Sequence, residues 1–140
     1  MKKILLAVAC TMLASGAAFA QQPAAPMKQP TAQMMTAMPA NSTTVTNYYK
    51  QDVYDPSDAK IGTINDVLVD KDGRVTALMI GVGGFLGMGE KDVAVPFAAL
   101  HGTEKNGKWY LVMNTTKDAL KSAPGYKYDK TKTTWMLDKS

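Results

Sequence analysis

The chain has one cysteine, Cys10, and one histidine, His101, among its 140 residues. Those two scarcities close off most side-chain chemistry at the outset. A metal-dependent hydrolase needs three protein ligands, usually rich in histidine, and none can be assembled here from His and Cys. A thiol or hydroxyl nucleophile needs a base within hydrogen-bond reach, and no Gly-x-Ser-x-Gly elbow occurs. His101 stands alone just before a hairpin, which reads as a surface or rim residue. Asp66, Glu90 and Asp92 are carboxylates that a fold can gather, but scattered acids on a small domain are usually solvated. The expectation is a non-enzyme with no cofactor and no bound metal. Charge of one sign is also thin. The formal net charge is +4, and Lys2 and Lys3 supply half of it. Lysines lie near acids in Asp70-Lys71-Asp72 and Lys127-Tyr128-Asp129-Lys130, which reads as a mixed solvated surface and no phosphate-tracking stripe. Nucleic acid is not an expected partner.

A long apolar run is missing as well. Lys2-Lys3, then Ile4 to Ala9, then Ala18-Phe19-Ala20 give a charged start, a short apolar core and a small-residue cleavage site, the three parts of a secretory signal. Residues 1–20 are therefore expected to be a signal peptide cut after Ala20, sending the chain to the periplasm. Thr11, Ser15 and Gly16 dilute the run too far for a membrane span, and Ile4 to Ala9 is too short a core to favour a lipid-anchored Cys10. If Cys10 leaves with the signal, the mature chain has no thiol and no disulfide, and packing must supply its stability.

Residues 21–46 turn to Gln, Ala, Pro, Thr and Met, with Pro23, Pro26, Pro30 and Pro39 and a single charge at Lys28. Prolines block a helix and no apolar period survives, so a disordered linker is expected. Met34, Met35 and Met38 offer soft thioethers that select Cu(I). A flexible segment without His or Cys would have to meet the ordering cost itself, which makes copper binding a minor alternative.

What the remainder has is β-prone sequence, punctuated by turns. Tyr48 to Tyr54 is a strand candidate closed by Asp55-Pro56-Ser57-Asp58. From Ile61 to Val69 strict alternation slips at Asn65-Asp66, which predicts a β-bulge. Asp70-Lys71-Asp72-Gly73 is a hairpin turn. It is no calcium loop, since Gly73 at the sixth position would make Leu68 and Met79 the terminal ligands. Val75 to Val82 is apolar on both faces and so demands a cover on each. The second cover can be the C-terminal segment, another subunit or a partner. Val93 to Phe97 alternates and carries Pro96, a mark of a strand end or edge. Asn106-Gly107 is a second hairpin turn, returning through Trp109, Leu111 and Met113. Thr115 or Thr116 caps a short helix through Ala119 and Leu120 that Pro124-Gly125 stops. Leu120 is placed to plug the open end of a barrel. Thr133 to Leu137 is either a last strand or the missing cover.

The centre of this pattern is Gly81 to Phe97. Gly81, Gly83, Gly84, Gly87 and Gly89 make a glycine loop that runs into the strand. A phosphate loop requires the reverse order, strand then helix, and GxGxxG spacing fails at Leu86 and Asp92. With Lys60-Ile61-Gly62 upstream and Ala123 to Asp129 downstream, this stretch resembles the PRC-barrel family, closest to its small exported single-domain bacterial members. The resemblance covers about Tyr48 to Asp129. It implies a mainly β fold, a small barrel with one short C-terminal helix, used as an interaction module: residues 47–129 form the domain and 130–140 a tail or extra strand. The family's photosynthetic H subunit has a membrane anchor and a cytoplasmic barrel, unlike an exported chain. Its ribosome-maturation relatives carry a second folded domain, for which 21–46 is too short and too polar.

The functional expectation is an adaptor that binds another protein, or a second copy of itself, through Phe85, Leu86 and Met88 on the glycine loop and through an exposed strand edge. Those three residues can instead fold back and cap the barrel. The alternative function is contact with a lipid surface or an apolar small molecule at the same place.

Overall fold

A computed structural model of the chain describes residues 31–84 and 88–139. The expected signal peptide, most of the expected linker, and Phe85, Leu86 and Gly87 lie outside the described residues. Residues 31–37 belong to one contact unit and are exposed without regular structure; residues from Met38 onward form the second. No helix among the described residues is long and apolar enough to cross a membrane.

The second unit is mainly β. Its strands are β1 (Asp52–Tyr54), β2 (Lys60–Val69), β3 (Val75–Val82), β4 (Lys91–Pro96), β5 (Leu100–Lys105), β6 (Lys108–Met113), β7 (Tyr126–Asp129) and β8 (Thr134–Leu137), and its helix is α1 (Lys117–Ser122). Hairpin turns set this order. Asp70 Oδ1 accepts from the amides of Asp72 and Arg74 at 2.9 Å each while Gly73 takes φ +81°, so β2 returns as β3. Asn106 and Gly107 both adopt positive φ, at 54° and 72°, as a type I′ turn requires, and β5 returns as β6.

All eight strands join in one sheet of order β5-β6-β1-β2-β3-β4-β7-β8. Every ladder is antiparallel except β1 with β6. The sheet does not close, because β5 and β8 each have a neighbour on one side only. It nevertheless curls about one core: Val53, Ile61, Ile64, Leu78, Ile80, Val82, Val93, Leu111 and others from six strands make a single buried cluster, joined by Leu120. Curling needs bulges. In β2 the register slips at Asn65, so Ile64 faces Ile80 in the core while Asp66 faces Met79 on the outside.

Thr116 caps α1, its side chain accepting from the Ala119 amide at 3.1 Å, with Asp118 in the first turn and Lys121 in the last complementing the helix dipole. Leu120 is 5% exposed, so the helix is nailed to the core by one residue. The first strand is shorter than its sequence suggests. Lys50 adopts φ 63° and a 3-10 turn, Val45–Asn47, precedes it, because Tyr48 turns inward to pack edge-on against Phe97 at 5.1 Å and Trp109 at 6.3 Å.

The double-faced strand finds both its covers inside the chain. Leu78, Ile80 and Val82 face the core cluster. Met79 faces the other way, yet it is 0% exposed. Its ladder partner Asp66 accepts a hydrogen bond from Trp135 Nε1 at 2.8 Å, which brings β8 across the outer face. Thr134–Leu137 is thus a strand and a cover at once. The cover at Met79 comes from within the chain, while Val75 and Ala77, nearer the turn, stay half-buried.

Candidate interaction surface

The glycine loop leaves β3 at Val82 and re-enters β4 at Lys91, and both ends are fixed by identifiable contacts. Gly81 lies between two longer side chains. Asn65 Nδ2 donates to Glu90 Oε1 at 2.7 Å and to Asp92 Oδ1 at 2.8 Å, reaching across the bare Cα of Gly81. A Cβ at Gly81 would collide with Glu90 Oε1 and Asn65 Nδ2. The residue is a glycine there because a polar clasp passes over it, and its φ is not in the left-handed region. Lys50 Nζ lies 3.4 Å from Asn65 Oδ1 and completes the clasp. On the other flank Lys91 Nζ donates to the Lys121 carbonyl at 2.7 Å, tying the start of β4 to the end of α1. Gly83, Gly84 and Gly89 take φ between 73° and 79°, so the chain turns sharply where it leaves this base and again where it returns.

Of the three apolar residues expected to dock, Met88 is described, and it is 79% exposed. A methionine so placed has no core to fill at its position, and its unbranched thioether adapts to many surfaces. Phe85 and Leu86, with Gly87, lie outside the described residues. The carboxylates separate into two pairings. Glu90 and Asp92 come together on Asn65, whereas Asp66 serves Trp135. Among the described residues no group of three His, Cys, Asp or Glu is arranged to hold a metal ion. His101 sits exposed on the edge strand β5, opposite Val112. Met34, Met35 and Met38 are each exposed.

Two hollows open on the domain, the first at the loop's base. One of about 320 Å³ is lined by Lys60, Thr63, Gly83, Gly84, Glu90 and Lys117, whose charges suit water and ions better than an apolar guest. The second, of about 400 Å³, lies at the other end of β4, between Val95 and Pro96 on one side and His101, Met113 and Leu120 on the other. At the far end of β1, Asp58 accepts from Lys105 Nζ at 2.7 Å and from the Tyr110 hydroxyl at 3.0 Å, and Tyr110 stacks on Tyr54 at 4.3 Å. The Lys105 and Tyr110 hydrogen bonds hold the Asp58 carboxyl below its usual range. Desolvation and the Asp58 hydrogen bond push the Tyr110 phenol up to about 12. This pinned corner is built for holding β6 to the β1–β2 turn, and it is remote in sequence from the loop.

The clasp was not readable from sequence, because Asn65 and Glu90 are 25 positions apart. The available signal was the bulge at Asn65-Asp66, which places two polar residues in succession on the outer face beside a glycine of the next strand.

A family model for the PRC-barrel domain matches residues 42–120 of the chain. No curated protein matches it.

Proposed function

The chain belongs to the PRC-barrel family, and from that premise we propose that it is an exported, non-catalytic interaction module that docks a protein partner through the glycine loop. The observation that carries the reading is Met88, 79% exposed on a loop whose base is clasped by Asn65, Glu90 and Asp92. Binding residues on a loop held by a rigid scaffold lose less entropy on docking than residues on a loose one. The charged start and short apolar run of residues 1–20 support export to the periplasm, and the Pro- and Gln-rich stretch ahead of the domain supports a tether. The single histidine and the absence of a nucleophile elbow argue against catalysis.

Replacing Leu86 and Met88 together by serine tests this. On the docking reading neither side chain is part of the packed domain, so at about 0.5 kcal/mol for each change the melting temperature is expected to move by less than roughly 8 °C while crosslinked adducts in intact cells disappear. A large fall in melting temperature would assign the two side chains to capping the sheet. Flotation of the mature protein with liposomes would assign them to a lipid surface instead.

A further inference from the structure

We infer that the C-terminal hairpin β7–β8 is a detachable strap, a unit that lifts from the outer face of β2–β4 without unfolding the domain and bares Met79 when it does. The inference is independent of the loop.

The hairpin is well knit internally. Its strands pair at four positions, from Tyr126 opposite Leu137 to Asp129 opposite Thr134. Tyr128 and Trp135 meet edge to face at 5.6 Å, Asp129 Oδ1 accepts from the Thr131 amide at 2.8 Å in the turn, and the Asp138 amide donates to the Gly125 carbonyl at 2.8 Å at the base. Its hold on the rest of the sheet is slight by comparison. Six register pairs join β3 to β4, whereas β4 meets β7 at one, Asp92 opposite Tyr126. A side-chain bond from Trp135 Nε1 to Asp66 Oδ2 also joins it to the sheet. Ala123-Pro124-Gly125 makes a natural hinge, with Ala123 extended at ψ 157° and α1 already ended. The match to the family stops at residue 120, before the hairpin begins.

The surface underneath is what such a strap would protect. Met79 is fully buried yet stands outside the main core cluster, with Ala94 and Asp66 as its ladder neighbours. A single register pair to the neighbouring strand and a side-chain latch are the marks of a segment that opens at low free energy. Trp135 is the latch because its N–H bonds Asp66, the ladder neighbour of Met79.

Hydrogen exchange on the mature chain, with peroxide oxidation of methionine read by mass spectrometry, tests the inference. Amides of Tyr126–Asp129 and Thr134–Leu137 are expected to exchange about 100-fold faster than those of β3. Trp135→Phe and Asp66→Asn, which each delete the latch bond while Asn can still accept from the Val67 amide as Asp66 does, should each speed hairpin exchange about tenfold and raise Met79 oxidation to match. Met113, in the main core, and the β3 amides should not change. The strap is overturned if hairpin and β3 amides exchange at one common rate, or if either variant leaves hairpin exchange and Met79 oxidation where they were.

Discussion

Ile80→Ala is expected to destabilise the domain by about 2–5 kcal/mol, the range for truncating a buried isoleucine to alanine. Ile80 is 0% exposed at the middle of β3, and its ladder partners Ile64 and Val93 are 0% exposed too. No solvent can fill the gap, and neighbours fixed in two ladders relax little toward it. For a unit of this size each kcal/mol moves the melting temperature by roughly 4–8 °C, so thermal unfolding followed by circular dichroism should fall by at least about 8 °C. A drop under about 3 °C would mean that the centre of the sheet is not packed as described.

Gly62→Ala should be costly for the opposite reason. A Cβ at Gly62 would stand 2.5 Å from Ile80 Cγ2 and 2.8 Å from the Gly81 carbonyl oxygen. Both distances are shorter than real Cβ contacts, and the carbonyl belongs to the backbone of the central strand. Overpacking of this kind costs about 1–3 kcal/mol and forces neighbours from their rotamers. The two changes are coupled through one methyl. Because Ile80→Ala removes the Cγ2 that a new Cβ would strike, the double variant should lose less than the two single losses combined, by about 0.5–3 kcal/mol. Strict additivity would contradict the contact. Gly81→Ala makes a useful contrast, since its Cβ would strike the ends of Glu90 and Asn65 and so would unfasten the loop before it strained the fold.

These contacts show how far the sequence could be read. Turn chemistry at Asp70-Lys71-Asp72-Gly73 and Asn106-Gly107, the alternation slip at Asn65-Asp66 and the cap at Thr116 are local signals, and each corresponds to a local feature of the fold. Val75 to Val82 announced that both its faces are covered, but could not say by what. The answer, Trp135 on Asp66, spans 69 positions and is set by tertiary packing. The open sheet was equally out of reach. Strand periodicity says which face of a strand is buried and nothing about whether its outermost strands meet. At the candidate surface, the glycines marked the loop, while the polar clasp that holds its base depends on three residues brought together from two strands and a loop end.

The docking account stands or falls on whether position 88 touches another protein. A photoreactive amino acid placed at Met88 in the full-length chain, irradiated in intact cells, should give a defined protein adduct. The same probe at Lys71, exposed in the β2–β3 turn at the opposite end of β3, should give none. Equal labelling from both positions, or no protein adduct from position 88, would contradict it.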